Sequence, residues 1–277
     1  MILQILLLAA SLTLPAPQLF APSILIDNDS SPTFSPDGKT LLFAQAGRNT
    51  DAIVESHLVD GVWTKPQTAS FSKFNDQAPA FSSDGSYVIF VSSRTDAATG
   101  KRQAHLYRVD RTADGWSEPV ELPATVNIGP AIYAPSIAAD GSIYFLGITR
   151  NGDDRVFQLY RSRFSGGTYQ RAEPLPFSTA QTRDVDPDIA PDQSFIIFAS
   201  SGRNGASDTK EHLFIVFARN GGWSDVQPLR YQGDDADGGS TDNSPILGRD
   251  GKTLFFSSDR GGDSHAYTLS IDKVLGG

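Results

Sequence analysis

The sequence predicts an all-β fold, a β-propeller of five blades, in which each blade is a sheet of four antiparallel strands. Three observations support this prediction. One short motif occurs five times along the 277 residues, an apolar run follows each copy, and no helical period of useful length interrupts the series. A single sheet of four short strands cannot bury both of its faces, whereas sheets packed radially around one axis cover each other.

The repeated motif is a proline followed five positions later by an aspartate. Glycine follows the aspartate in four copies, and Gln193 takes its place in the fourth. Asp-Gly between apolar runs is a strong hairpin signal, so we expect each copy to join the innermost strand of a blade to the second strand. The copies are SPTFSPDGKT (31–40), APAFSSDGSY (78–87), APSIAADGSI (134–143), DPDIAPDQSF (186–195) and SPILGRDGKT (244–253).

The second strand of each blade is predicted from the apolar run after the turn. These runs are rich in aromatic and β-branched residues and do not alternate cleanly, which indicates strands covered on both faces. They lie at 41–45, 87–93, 143–147, 195–201 and 253–258. An arginine closes each run and is predicted to form a recurring ion pair or loop clamp between adjacent blades. These arginines are Arg48, Arg94, Arg150, Arg203 and Arg260.

The third strand is predicted to begin with a histidine in four blades, at His57, His105, His212 and His265. A third strand lies roughly 10 Å outside the innermost one, so histidines of different blades are too far apart to share a metal ion. We therefore expect them to bond loops or pack locally. A fourth strand opens with an aromatic residue in four copies, at Trp63, Trp116, Tyr169 and Trp223.

The fifth copy lacks a fourth strand of its own, since only six residues follow its third strand. Residues 22–27 (PSILID) precede the first motif and are predicted to complete the last blade, which would close the ring without free edges. A propeller of six blades is the alternative, although no remaining segment is long enough to supply a sixth sheet.

Residues 1–21 are predicted to be a signal peptide, and residues 22–277 a single propeller domain. The first fourteen residues are apolar and uncharged, and small residues suitable for cleavage follow near Ala16 and Ala21. We therefore expect a periplasmic or secreted protein. The alternative interpretation of this apolar segment is a buried N-terminal strand.

Composition excludes several classes of function. The formal net charge of −9 argues against a nucleic-acid partner and against docking on anionic lipids. The absence of cysteine excludes disulfides, thiolate metal sites and cysteine nucleophiles. The sequence contains no nucleophile elbow, zinc-protease helix motif, phosphate-binding loop or dinucleotide-binding glycine pattern.

The segments that lead into the innermost strands are predicted to ring one mouth of the central channel. Because they carry Asp and Asn, they make an acidic, oxygen-lined mouth that suits a basic peptide segment. Ca²⁺ also takes oxygen ligands, but the metal signal is weak and no other cofactor is expected. Loop residues that only cap strands and bind water are the alternative. The candidate binding residues are Asn75, Asp76, Tyr133, Asp184, Asp186, Asp242 and Asn243.

The segment PTFSPDGKTLLFAQ and its relatives resemble the PD40 form of WD40-like repeats, the repeat type of the TolB propeller. The resemblance covers residues 32 to about 271, and it implies the propeller fold. The few residues between the apolar N-terminus and the first repeat leave no room for the N-terminal α/β domain of TolB. Propellers with such repeats serve in binding proteins, in peptidase gating domains and in some lyases, so the resemblance is specific for fold and weak for function.

The function that these observations favour is a non-enzymatic scaffold in the cell envelope that binds a protein or peptide at the channel mouth. We expect a monomer without stable membrane insertion. The alternative is a glycan-active enzyme, a lyase or hydrolase that uses the mouth carboxylates, with or without a divalent metal. A purely structural module within a larger complex is a third interpretation.

Overall fold

The computed structural model describes residues 13–20, 29–47, 50–95, 100, 102–203, 209–233 and 239–276. Within these ranges the chain forms short β-strands and no helix, as the sequence predicts. The strands assemble into five antiparallel sheets, each built around three longer strands, and one additional two-stranded hairpin. None of the described residues forms a helix long and apolar enough to cross a membrane.

Each blade takes its strands in chain order from the axis outward. Strand β1 (Gln18–Leu19) precedes the first blade and belongs to the last. The first blade contains β2 (Asp29–Phe34), β3 (Thr40–Gln45), β4 (Ala52–Val59), β5 (Val62–Trp63) and β6 (Gln67–Thr68). The second contains β7 (Asp76–Phe81), β8 (Tyr87–Ser92), β9 (His105–Thr112), β10 (Gly115–Trp116) and β11 (Val120–Glu121).

The third blade contains β12 (Ala131–Ile137), β13 (Ile143–Asn151), β14 (Asp154–Ser162) and β17 (Glu173–Pro174), with the hairpin of β15 (Phe164–Ser165) and β16 (Thr168–Tyr169) beside it. The fourth contains β18 (Arg183–Ile189), β19 (Phe195–Ser201), β20 (His212–Arg219), β21 (Gly222–Trp223) and β22 (Gln227–Pro228). The fifth contains β23 (Asp242–Leu247), β24 (Thr253–Ser258) and β25 (His265–Ser270).

The innermost strands form a closed ring of five. Strand β2 contacts β7, and the series continues through β12 and β18 to β23, which contacts β2 again. This arrangement confirms the five-bladed propeller. The second strands of the first four blades are largely buried between neighbouring sheets, and every residue of β19 is buried, whereas β24 of the fifth blade alternates between buried and half-buried residues. That burial explains why the second strands read as continuous apolar runs without alternation.

A bulge interrupts every innermost strand immediately before its repeated proline. The residue before the proline has a positive φ of 47–52° in all five copies, and the strand pairing shifts register at the same place. A bulge bends a strand and re-aims its side chains. The five residues with positive φ are Ser31, Ala78, Ala134, Asp186 and Ser244.

The N-terminal segment closes the last blade, but through earlier residues than predicted. Strand β1 pairs with β25, Gln18 opposite Thr268 and Leu19 opposite Tyr267. Leu14 is fully buried in the largest core cluster. The predicted closing strand, residues 22–27, lies outside the described residues. The segment that pairs therefore lies within the predicted signal peptide, where Leu14 is buried and both residues of β1 are exposed.

Candidate functional site: the axial cavity

The innermost strands enclose a cavity of about 420 Å³ on the propeller axis. All five blades contribute, because each supplies its bulge, its repeated proline and the residues leading to the turn. A rigid proline ring from each blade therefore forms part of the wall. The repeated prolines are Pro32, Pro79, Pro135, Pro187 and Pro245.

Two carboxylates from the fourth blade break the near-equivalence of this wall. Asp186 and Asp188 flank the proline of their blade and both line the cavity. The residues at the corresponding positions in the other blades are uncharged. Among the described residues, Arg249 at the turn-side rim is the other charged side chain that lines the cavity.

Hydrogen bonds hold both carboxylates in place and tie the fourth blade to its neighbours. Asp186 Oδ2 accepts from the backbone N and the hydroxyl of Ser244, each at 3.1 Å. Asp188 accepts from Ser136 Oγ of the third blade at 2.6 Å and from the backbone N of Leu247 of the fifth blade at 2.5 Å. Asp188 is therefore fixed by both adjacent blades, and Asp186 by the fifth blade.

Burial raises the pKa of both carboxyl groups. It raises the pKa of Asp188 to about 6, although the two hydrogen bonds oppose the shift. The pKa of Asp186 is also raised, and the bonds from Ser244 and the more distant charge of Arg183 counteract part of the effect. Within the described residues neither carboxylate forms an ion pair. Asp186 and Asp188 are half-buried by accessible surface, and a carboxylate held partly out of water without an ion-pair partner is unfavourable, so the cavity favours a positively charged occupant or a bound proton.

Three of the predicted site residues instead belong to a repeated clamp inside the blades. Asp76, Asp184 and Asp242 are buried at the start of their innermost strands. Each lies against the arginine that closes the second strand, at 3.4 Å from Arg94, 2.6 Å from Arg203 and 3.0 Å from Arg260 respectively.

The clamp has further parts that recur in the three blades. The arginine Nε donates to a serine hydroxyl of the second strand and the guanidinium lies over aromatic rings of the same blade. In two blades it also donates to a carbonyl of the linker from the preceding blade, at Phe71 and Phe177. The predicted arginine clamp therefore occurs in three blades, where the ion pair lies within one blade and the acidic partner is the aspartate of the innermost strand.

The third blade lacks this clamp. Ile132 occupies the position of the clamp aspartate, opposite Gly147, and it is fully buried. The corresponding arginine, Arg150, is exposed. In the four blades whose arginine is described, the half-buried arginine and the buried aspartate therefore occur together or not at all. Arg48 of the first blade lies outside the described residues.

The turn aspartates stabilise their turns. In each of the five turns an aspartate oxygen accepts from the backbone N two residues further on. The hydroxyls of Ser35 and Ser86 lower the pKa of Asp37 and Asp84 respectively below the usual value, and the backbone bonds add to this because they also favour the charged form. The aspartates are Asp37, Asp84, Asp140, Asp192 and Asp250.

The structure separates the remaining predicted site residues. Asn75 accepts from the backbone N of Asp51 at 2.8 Å, and Asn243 donates to Glu211 at 3.0 Å. Tyr133 packs against the hydrophobic core. Of the predicted set, only Asp186 is among the described residues that line the axial cavity. Asp188 was missed, although its signal was a charge at a repeat position that is uncharged in the other copies.

The histidines do not all occupy one repeat position. His105, His212 and His265 open β9, β20 and β25 and pair with a serine of the second strand. His57 lies near the end of β4, opposite Thr40, because the first blade is shifted by five residues relative to the predicted alignment. The local role holds for His105, whose ring contacts Glu121 at 2.6 Å and the carbonyl of Gly129 at 3.3 Å.

Within the part of the chain that the structure describes, no three His, Asp or Glu side chains converge closely enough to hold a metal ion. The acidic stretch 233–242 lies largely outside that part. Ca²⁺ at the channel mouth therefore stays a prediction.

Comparison with solved structures supports the class of fold. The chain is a β-propeller, and its fold is that of the TolB propeller. It superimposes on a TolB-type protein from Agrobacterium tumefaciens with a TM-score of 0.60 and 20% identity, covering 89% of this chain and 78% of that one. For TolB from Acinetobacter baumannii the TM-score is 0.54 at 18% identity, covering 88% of this chain and 55% of the other.

An enzyme also shares the architecture. The mannose phosphorylase MPT-4 from Leishmania mexicana has a TM-score of 0.54 at 12% identity, with 95% of this chain and 91% of that chain covered. No protein-family model matches the chain, and no curated protein matches it in sequence. At these identities the likeness defines the fold alone.

Proposed function

We propose that the protein is an exported, non-enzymatic scaffold that binds an extended segment of a protein partner in its axial cavity. The observation that carries the proposal is the pair Asp186 and Asp188, two carboxylates that form no ion pair with the described residues in a cavity lined by a proline from every blade. The TolB propellers that share the fold are consistent with a scaffold.

The chemistry of the cavity suits a basic side chain in an apolar segment. A volume of about 420 Å³ lies within the usual range of ligand pockets and accommodates a few residues of an extended chain. Proline rings pack against aliphatic carbons, while the two carboxylates offer acceptors to an ammonium or guanidinium group. A bound cation also offsets the cost of burying the carboxylates in charged form.

Photo-crosslinking in cells tests this proposal. A photoreactive amino acid replaces Thr33, which lines the cavity from the first blade, and captured proteins are identified by mass spectrometry. We expect one partner to be captured in the wild-type background and lost with Asp186→Asn and Asp188→Asn together. Asparagine tolerates the positive φ of position 186, so the backbone is preserved.

A matched control separates the cavity from general surface charge. Asp225→Asn removes one exposed carboxylate and should leave capture from position 33 unchanged. Capture that is equally strong in the double variant, or equally strong when the photoreactive residue is placed at position 225, contradicts the proposal.

The raised pKa of Asp188 is the specific observation that favours the second candidate, a glycan-active enzyme. A carboxyl group with a pKa of about 6 can act as a general acid near neutral pH, and Asp186 offers a second carboxylate. A phosphorylase with the same architecture shows that such propellers can act on sugars. A cleavage screen on acidic and neutral oligosaccharides, with and without divalent cations, tests this candidate. Turnover that is abolished by Asp188→Asn would favour the enzyme over the scaffold.

Export remains part of the proposal, together with a monomeric state. Fractionation of the expressing cells and N-terminal sequencing of the recovered protein test where it resides and where it begins. Recovery of the full-length chain in the cytoplasmic fraction alone would refute export. Size-exclusion chromatography with light scattering tests the monomer.

A further inference from the structure

A second cleft lies between the third and fourth blades, away from the axis. Its volume is about 420 Å³. Arg161 and Arg163 line it from the third blade, and Arg219 lines it from the fourth. Tyr144 and Trp223 also contribute to its wall. We propose that this cleft binds a small organic ligand through an oxyanion, either a carboxylate or a phosphate.

Comparison with the second blade shows that the charge at this place is specific to the third. Arg108 and Arg161 are equivalent, because each pairs with the outermost strand at the same place. Arg108 donates to Asp110 at 2.8 and 2.5 Å, which neutralises it. The residue two positions after Arg161 is Arg163 instead of an aspartate. Arg163 lies just after the end of β14 and lines the cleft together with Arg161, so two positive charges stand where the second blade has an ion pair.

Another departure from the repeat orients the first of these arginines. Gln193 replaces the turn glycine and has a φ of 60°, a conformation that costs a non-glycine residue energy. It accepts from Tyr144 Oη at 2.8 Å and donates to Asp140 at 2.9 Å. The Tyr144 hydroxyl also interacts with Arg161. The strained glutamine therefore holds the hydroxyl of Tyr144, which lines the cleft together with Arg161.

The local balance of charge is positive although the whole chain is acidic. Glu173 lies 3.6 Å from Arg163 and both side chains are more than half exposed, so that pair is weak. The structure gives Arg219, which is exposed, no ion pair with the described residues. Three guanidinium groups around one cleft repel each other, and an oxyanion that accepts from several of them relieves the repulsion.

The walls of the cleft indicate an organic ligand. The cleft is much larger than an isolated phosphate ion, and Trp223 with Pro176 supplies an apolar side. The side-chain amides of Gln193 and Asn220 add neutral hydrogen-bonding groups. This combination of forked cations, an aromatic ring and amides suits a compact polar molecule with one or two acidic groups.

Isothermal titration calorimetry on the full chain tests the proposal with four probes: digalacturonate, glucose 6-phosphate, inorganic phosphate and neutral cellobiose. We expect saturable binding of at least one anion, weakened by added salt, and none of cellobiose. The digalacturonate and glucose 6-phosphate arms distinguish a carboxylate ligand from a phosphate ligand.

The variant Arg163→Asp recreates the ion pair of the second blade and should weaken anion binding at least tenfold. Because the side chain is exposed, the fold should tolerate the change, which circular dichroism verifies. Arg155→Asp makes the same change of charge at an exposed position elsewhere on β14 and should alter affinity less than threefold. Absence of saturable anion binding, or an equal loss in both variants, overturns the proposal.

Discussion

Leu14 should contribute strongly to stability, although it precedes the first repeat. Its side chain is fully buried in the cluster shared by the third, fourth and fifth blades. Its backbone N donates to the carbonyl of Arg230 at 2.8 Å, and its carbonyl accepts from Gln232 at 2.9 Å. Leu14→Ala keeps these bonds and removes buried carbon, so the free energy of unfolding should fall by about 2–5 kcal/mol.

Urea unfolding followed by tryptophan fluorescence measures this change. With a slope of about 3 kcal/mol per molar urea, the midpoint should fall by about 1 M. Leu19→Ala is the matched control, because Leu19 belongs to the same segment but is 57% exposed. We expect the control to change the free energy of unfolding by less than about 0.5 kcal/mol.

Removal of N-terminal residues tests the role of Leu14 and β1 in a second way. A chain beginning at residue 13 should be as stable as the full sequence, whereas a chain beginning at residue 22 lacks both Leu14 and β1 and leaves β25 as an open edge. Equal midpoints for Leu14→Ala and Leu19→Ala, or equal midpoints for the two truncated chains, would show that the N-terminal strand is dispensable and refute the reasoning.

Three further predictions follow from the clamps, the cavity and the tryptophans. Asp184→Asn leaves Arg203 without its partner and should lower the free energy of unfolding by about 3–5 kcal/mol. Arg150→Met, at the exposed arginine of the third blade, should change the free energy of unfolding little. Urea titration compares the two variants. The folded-state pKa of Asp188 is raised to about 6, so its stabilising contribution is complete below pH 4 and is lost as the pH rises through 6. Between pH 4 and 7 the free energy of unfolding of Asp188→Asn should therefore increase relative to that of the wild type by up to about 3 kcal/mol. A difference that stays constant with pH would contradict this. Trp116 Nε1 donates a 2.8 Å hydrogen bond to a glutamate of the first blade, whereas Trp223 packs against aromatic rings. In thermal unfolding Trp116→Phe should therefore lose about 1 kcal/mol more stability than Trp223→Phe. Equal losses of stability would show that the hydrogen bond does not stabilise the fold.

The sequence predicted the repeat, the blade number and the turns, because these follow from local patterns. The repeated proline and aspartate mark the same bulge and turn in every copy, and the apolar runs correspond to β3, β8, β13, β19 and β24. The predicted alignment of β4 was wrong by five residues for a local reason. The loop before β4 is short, and the Ser-His pair at 56–57 resembles the residues that begin the later third strands.

The candidate site was less predictable. Asp184 and Asp186 are separated by one residue, and the sequence offers no sign that one lies under Arg203 while the other lines the cavity. The bulge between them decides this, because the extra residue changes which side chains point to the axis. The cleft at Arg163 likewise could not be predicted from the sequence, because it depends on how the strands of the third and fourth blades are placed against each other.

The amino-acid sequence by itself determined that this chain is a propeller of five similar sheets, because turn chemistry and strand hydrophobicity act over a few neighbouring residues. Only the tertiary structure decided which aspartates are buried beneath arginines, which two reach the axial cavity and which early residues complete the last blade. Those outcomes depend on contacts between residues far apart in the chain, as when Leu14 meets Tyr231 and Asp188 meets Ser136.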